Sequence, residues 1–427
     1  MRDKVRQSLV GLVAALLVTS TAWAQPSDVV ERITFDEAIR RALDRNPSIA
    51  EAAQAIFQAE TLLQHARTVF RPTIDASFVT TILDAERGFD EFVTQPRTQS
   101  FLGGIISYPV LAASRWALNA QAEDQIRVAR LGVDEVRRQI ALAAGTAYLS
   151  VIAQQRLIDV AVEARANAQA HVDYARALLQ GGAGSKLNEL RAAQELATDE
   201  MLLEAARLGL RRAQEALGVL LGADGPIDAS AEPAFEVVTT SPADTQWLMQ
   251  RADVKLFSAQ IDATDRVYRD SWRDWVPTAT AAFEPQVVTP AGLFQPSRTW
   301  RGFVAFSVPL FDGGTRRATR RQREIDVDTA RIQLTDVELR ARAEQRTAEA
   351  AVGINERGLA YARQAAQHAA EVLRITDIAF RAGASTNIEL IDAQRRARDA
   401  DAAVAQAEDR VRQARLDLLV AVGRFPS

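Results

Sequence analysis

Glu389 and Asp392 are the residues whose type and spacing most readily suggest chemistry. Three apart in a helical pattern, they share a face, beside the apolar seam of Leu390, Ala393 and Ala397 rather than in it. Two carboxylates held close raise one another's pKa values, attract cations and titrate as a coupled group. The plainer reading is a solvated carboxylate pair at a helix start, favoured by the macrodipole. Glu189 holds the same place in an earlier copy of this stretch. There Ser185, Glu189, Leu190, Ala193 and Gln194 match Ser385, Glu389, Leu390, Ala393 and Gln394.

Other candidates carry less. His65, His171 and His368 lie far apart, each alone on a helical pattern, and read as surface or packing residues. With no cysteine and three methionines, a soft-metal relay is not expected. Gly103-Gly104 and Gly313-Gly314 lack a phosphate-loop lysine and serine and read as strand or turn glycines. Arg316, Arg317, Arg320, Arg321 and Arg323 cluster directly after a strand pattern. They read as a solvated helix face or a contact for lipid or lipopolysaccharide phosphates. Nucleic-acid binding needs a basic domain, whereas the net charge here is −4. No catalytic constellation, cofactor or metal set stands out, so an enzyme is not expected.

The elements that position the carboxylates are long. From Thr315 to Phe380 there is no proline and apolar residues recur at helical spacing. A small-residue turn around Gly383 and Ala384 follows, and Ser385 or Thr386 caps a second helix with Glu389 in support. The same plan recurs at Gly181, Gly182, Gly184 and Ser185. Both turns present small residues that let another helix approach the backbone. The hairpins span 114–221 and 315–422, their first helices about 100 Å long and the return helices about 55 Å. In the last helix Ala393, Ala397, Ala400, Val404, Ala407, Val411, Ala414 and Leu418 alternate by four and three, a seam for left-handed supercoiling. Leu196, Leu203, Leu210 and Leu217 recur at seven in the earlier return helix.

Each hairpin follows a pair of strand patterns of about ten residues, at 73–83 with 100–110 and at 278–287 with 298–308. Ile74, Ala76, Phe78 and Ile82 alternate with Thr73, Asp75, Ser77 and Thr81. Ala279, Ala281, Phe283 and Val287 likewise alternate with Thr278, Thr280, Glu284 and Gln286. That is the length and alternation of a transmembrane β-strand, with Ile74, Phe78, Phe283, Val304 and Phe306 toward lipid and Thr278 and Thr280 toward the lumen; alternation by itself is a weak membrane signal, and the plainer reading is two soluble β-hairpins capping a helical bundle. Pro72, Pro109, Pro277 and Pro309 bracket the pairs as helix–strand junctions.

The chain thus divides into four parts. Residues 1–24 read as an export signal: a cationic start, the apolar run Leu9–Val18 and a small-residue site at Ala22-Trp-Ala24. Residues 25–222 form a first repeat, 223–242 a linker with Gly225, Pro226, Pro233 and Pro242, and 243–427 a second repeat. Without disulfides, an exported chain must draw stability from packing or assembly.

Three stretches together carry a resemblance. They are Ile33-Thr-Phe-Asp-Glu-Ala-Ile-Arg-Arg-Ala-Leu-Asp-Arg-Asn-Pro47, Ser307-Val-Pro-Leu-Phe-Asp-Gly-Gly314, and Phe380 to Ala393 followed by Gln394. In this order the chain resembles the TolC-like family of outer-membrane efflux proteins over essentially its whole mature length. The resemblance implies a mainly helical fold with a membrane β-barrel, in which a homotrimer builds one twelve-stranded barrel continued by a periplasmic helical tunnel. It implies an exit duct in the outer membrane of a Gram-negative bacterium, in contact with outer-membrane lipid. A periplasmic adaptor protein docks at the tunnel tip, fed by an inner-membrane transporter of the RND, ABC or MFS type. It also implies that Glu389, Asp392 and Glu189 line the periplasmic constriction. The chain departs from the family pattern at Phe380, where an aromatic hydroxyl is common, and at Ser385, where a basic residue is common. A periplasmic adaptor or a coiled-coil scaffold is the alternative; the first has one hairpin, and the second leaves the strands unused.

Overall fold

The computed structural model describes residues 30–89, 92–235, 246–292 and 295–425. The leader at 1–24 lies outside them, as does the second part of the linker, from 236. The elements in order are β1 (Glu31–Ile33), α1 (Phe35–Arg45), α2 (Pro47–Thr68), β2 (Thr73–Ile82), β3 (Arg87–Phe89), β4 (Phe92–Gln95), β5 (Thr98–Leu111), α3 (Ala113–Gln180) and α4 (Lys186–Leu220). The second half runs β6 (Ile227–Ala229), α5 (Gln246–Gln250), α6 (Ala252–Arg269), a 3-10 turn (Asp270–Trp275), β7 (Thr278–Thr289), β8 (Arg298–Ser307), α7 (Thr315–Arg381) and α8 (Asn387–Ala421). No described helix is long and apolar enough to cross a membrane.

The two strand pairs join into one antiparallel sheet, ordered β2-β5-β7-β8. Its register sorts side chains as the alternation predicts. Ile74 faces Ile106, Ile106 faces Phe283, and Phe283 faces Gly302. Phe78 lies opposite Leu102, which lies opposite Val287. One apolar face thus runs across all four strands, and Ile74, Phe78, Trp300, Val304 and Phe306 are each more than half exposed on it. The other face carries Asp75, Ser77, Gln286, Thr299 and a cross-strand ion pair between Glu284 and Arg301. Phe101 is apolar on this second face; its ring covers Gly103, where an added Cβ would meet it at 2.5 Å.

Two details correct the sequence reading, at Pro109 and in the linker, and two add to it. Pro109 lies inside β5, at the register shift between Pro109 and Leu111, rather than at a junction. A bulge leaves a residue unpaired, so the missing N–H is tolerated there. The connection after β2 holds a small hairpin, β3 with β4. The second helix of the later repeat stops at Arg269 and tightens into the 3-10 turn. The linker contains β6, which pairs in parallel with β1 and is buried.

That ribbon belongs to the main core. Ile33, Phe35, Ala38, Tyr148, Leu149, Leu217, Ile227, Leu416 and Val420 converge there, halfway along α3. Tyr148 is fully buried, and its hydroxyl donates to the Ala231 carbonyl at 2.7 Å. Asp228 accepts from Gln155 at 2.8 Å, Gln214 at 2.9 Å and Arg32 at 3.0 Å, which satisfies a carboxylate otherwise costly to bury. Leu416 turns into this core while Ala414 and Leu418 pack with Ala348 and Val352 of α7. The return helix therefore has neighbours on two sides, as its small seam residues require.

Candidate functional site

The far ends of the two hairpins form the candidate site. Each long helix stops the same way. Gly182 and Gly383 both take φ +77°, a left-handed conformation that costs glycine least. The amide of Gly383 donates to the Phe380 carbonyl at 3.0 Å and that of Ala384 to Ala379 at 2.8 Å. Gly182 to Leu179 at 3.1 Å and Ala183 to Leu178 at 3.0 Å repeat the pattern, a Schellman closure in both cases. Gly184 is needed for proximity instead, since a Cβ there would stand 2.8 Å from the Leu179 nitrogen.

The return helices then begin on hydroxyl caps. Ser185 accepts from the Asn188 amide at 3.2 Å. Thr386, not Ser385, caps α8, accepting from the Glu389 amide at 3.3 Å while Glu389 accepts from the Thr386 amide at 2.8 Å. Ser385 donates its hydroxyl to the same carboxylate at 2.6 Å. These donors hold the Glu389 carboxyl below its ordinary pKa. Glu389 thus supports the cap as its spacing predicts, in a capping box that satisfies the unpaired amides of the helix start, and these donors lower its carboxyl where a neighbouring like charge was expected to raise it. Asp392 is exposed and pairs with Arg396 at 2.8 Å. Glu189 pairs with Lys186 and, at 3.4 Å, with Arg176, which lowers its pKa, the Lys186 hydrogen bond contributing most.

Sequence reasoning missed what ties the hairpins together. His171, read as solitary, is buried on α3 and its Nε2 lies 2.7 Å from Asn387 Oδ1. The Asn387 amide nitrogen donates to the Asn188 carbonyl at 3.4 Å, which ties the starts of the two return helices together. Phe380 meets the His171 ring edge-on at 5.5 Å. Eight residues further along α8, Arg395 donates to the buried Glu195 at 2.8 Å, and Arg398 reaches Asp199 at 2.6 Å and Glu195 at 3.4 Å. Burial pushes the Asp199 carboxyl up, against the pull of Arg398. The charge pattern on each helix was visible, but nothing in one sequence aligns position 195 with position 395 across the fold except the repeat itself.

At the opposite end of the hairpin, Asp312 takes over from a cap side chain. It accepts from the amides of Gly314 at 3.1 Å and Arg316 at 2.9 Å, and these bonds lower its pKa. Gly313 and Gly314 both have positive φ, so the chain turns from β8 into α7 within a few residues. No group of three or more histidine, cysteine, aspartate or glutamate side chains is placed to hold a metal among the described residues.

A four-stranded sheet with one largely apolar face is thus carried on two long, capped hairpins. The family model for outer membrane efflux proteins matches residues 38–223 and 246–424. The chain belongs to that family. It is 24% identical over 407 residues to the cobalt-zinc-cadmium resistance protein CzcC of Cupriavidus metallidurans, covering 90% of this chain and 91% of that one. A membrane protein from Pseudomonas aeruginosa superposes with a TM-score of 0.78 at 20% identity, over 91% of this chain and 93% of the other. The MtrE outer membrane channel of Neisseria gonorrhoeae, solved in its open state, gives 0.75 at 16% identity, over 91% and 88%. These two likenesses are of fold. Family membership sets aside the adaptor and scaffold alternatives, and this efflux protein resides in the outer membrane with its helices in the periplasm.

Proposed function

We propose that three copies close one twelve-stranded barrel and that its helical continuation conducts cargo from a periplasmic adaptor and an inner-membrane pump to the exterior. The observation that carries this is the sheet itself: β2 and β8 are unpaired edges, and one face is largely apolar. Lipid cannot satisfy an open edge, so the strands need partners, and four strands per chain reach a closed barrel only by assembly. The sheet's strands, at about 3.3 Å per residue and a tilt near 45°, match the roughly 25 Å apolar band of outer-membrane barrels. A heat-modifiable, detergent-requiring trimer in the outer-membrane fraction is the expected outcome; a detergent-free monomer overturns the reading.

The adaptor docks at the two turns, Gly181 to Ser185 and Gly383 to Ser385. Glu389, Asp392 and Glu189 form the charged rim of the periplasmic opening, Asp392 being the most available of the three within the protomer. Divalent cations are the cargo to test first, because the relative named above is a cobalt-zinc-cadmium resistance protein. Deletion should sensitise the cell to those ions; unchanged tolerance sends the search to other cargo.

A further inference from the structure

A collar of side chains surrounds the place where the sheet meets the helices. Four crossings meet there: the approach to β2, the exit of β5 into α3, the 3-10 turn before β7, and the exit of β8 into α7. Side chains bind them together. Phe70 stacks on Trp116 with ring centroids 6.4 Å apart, and Gln121 donates to Asp270 at 3.1 Å. Arg323 reaches Asp274 at 2.9 Å, and Arg320 lies over the Tyr268 ring at 5.5 Å.

Three of the collar's carboxylates are already engaged. Asp270 pairs with Arg273, Asp274 with Arg323, and Asp312 with Arg316 and two backbone amides. Exposed Arg71, Arg115, Arg317 and Arg320 have no carboxylate partner among the described residues. These four guanidinium groups per protomer outnumber the collar carboxylates left without a cation, Asp75 and Glu123, in a protein of net charge −4. Apolar surface adjoins them. Val304, Phe306, Val308 and Leu310 continue one line from the sheet's apolar face past the end of β8, Leu310 being 91% exposed. Trp272 is also exposed, with the Arg273 guanidinium 5.7 Å from its ring.

The spacing fits a bilayer surface. Helix α7 begins at Thr315, so Arg320 lies about 8 Å along it. The headgroup layer outside the hydrocarbon is roughly 5–8 Å thick on each side. Leu310 and Trp272 then belong at the hydrocarbon edge and the arginines among the phosphates, an aromatic belt with a cationic rim.

We infer that this collar binds anionic phospholipid of the periplasmic leaflet, and that this contact sets the depth of the barrel. The inference rests on the barrel reading above. The test uses the purified full-length trimer in nanodiscs of phosphatidylethanolamine with phosphatidylglycerol, with retained lipids counted by native mass spectrometry. Its trimeric state is read separately by heat-modifiability, so a protein that never forms a trimer counts against the barrel and not against the collar. Wild type should retain phosphatidylglycerol in preference to phosphatidylethanolamine. The preference should fall about fivefold for each arginine removed in Arg317→Gln with Arg320→Gln, and again in Arg71→Gln with Arg115→Gln. Arg357→Gln, about 60 Å further along α7, should leave it unchanged. Equal retention of the two lipids by wild type overturns the inference, as does an equal loss in the Arg357 variant. Loss of trimer rather than of lipid in the collar variants also overturns it, because a neighbouring protomer would then be the occupant.

Discussion

At the scale of single residues, the tip glycine and the capped carboxylate make the sharpest claims. Gly383 has open space around its missing Cβ but a φ of +77°, so its need is conformational. Gly383→Ala should strain the turn by about 1 kcal/mol while leaving export largely intact, whereas Gly383→Trp should abolish export with the trimer still assembled. Full export by the tryptophan variant, in a cargo-resistance assay, would retire the docking role. Glu389 carries a second claim, through its pKa. A carboxylate whose folded pKa is lowered contributes at neutral pH and loses that contribution as pH falls through the lowered value. Cation preference at the rim should therefore persist below the ordinary carboxylate range. Ser385→Ala removes the largest cause of the shift and should move the loss to higher pH, measured as reversal potential against pH in planar bilayers. Replacing Glu389 and Asp392 together with serine should reduce the preference outright. Unchanged selectivity in an assembled trimer would leave the pair as helix-start residues.

At the scale of elements, two contacts can be separated by mutation. In the sheet, Phe283→Arg should cost about 2–4 kcal/mol if its face meets the bilayer midplane, while Thr280→Arg on the opposite face should be tolerated. Urea-gradient refolding into vesicles compares the two, and equal effects would refute the orientation. Between the return helices, Glu195 and Asp199 are buried against Arg395 and Arg398. Arg398→Met leaves two carboxylates without their shared partner and should cost about 3–5 kcal/mol locally. Hydrogen exchange along the first three turns of α8 should accelerate, and the double change with Asp199→Asn should recover part of the loss. No acceleration would mean that Arg395 alone holds the pair.

At the scale of the whole molecule, the chain is a long object with one substantial core near its middle and thin seams elsewhere. The core joins β1, β6, α1, α3, α4 and α8, so the middle of the protomer is fixed while both ends depend on what surrounds them. The sheet end leaves the edges β2 and β8 unpaired and an apolar face exposed, and the tip is closed by two turns and the inter-hairpin contacts. Truncating Tyr148 to Ala should therefore lower the heat-modification temperature of the trimer more than any single change at the tip. A smaller effect there would place the stabilising core elsewhere.

Much of this was legible from the chain alone. Alternation of period two, helical stretches without proline and glycine at matching places 201 residues apart determine elements directly, because each depends only on local backbone geometry. Thus Gly182 and Gly383 end helices and a hydroxyl at Ser385 or Thr386 begins one, as their neighbours in sequence dictate, while the structure decides for Thr386. Pro109 sits in a bulge and Ile227–Ala229 becomes a buried strand only because partners distant in sequence arrive beside them. The same holds for His171 with Asn387 and for Glu195 with Arg395 and Arg398. A burial or an ion pair is a property of two surfaces, and only tertiary structure decides which surfaces meet.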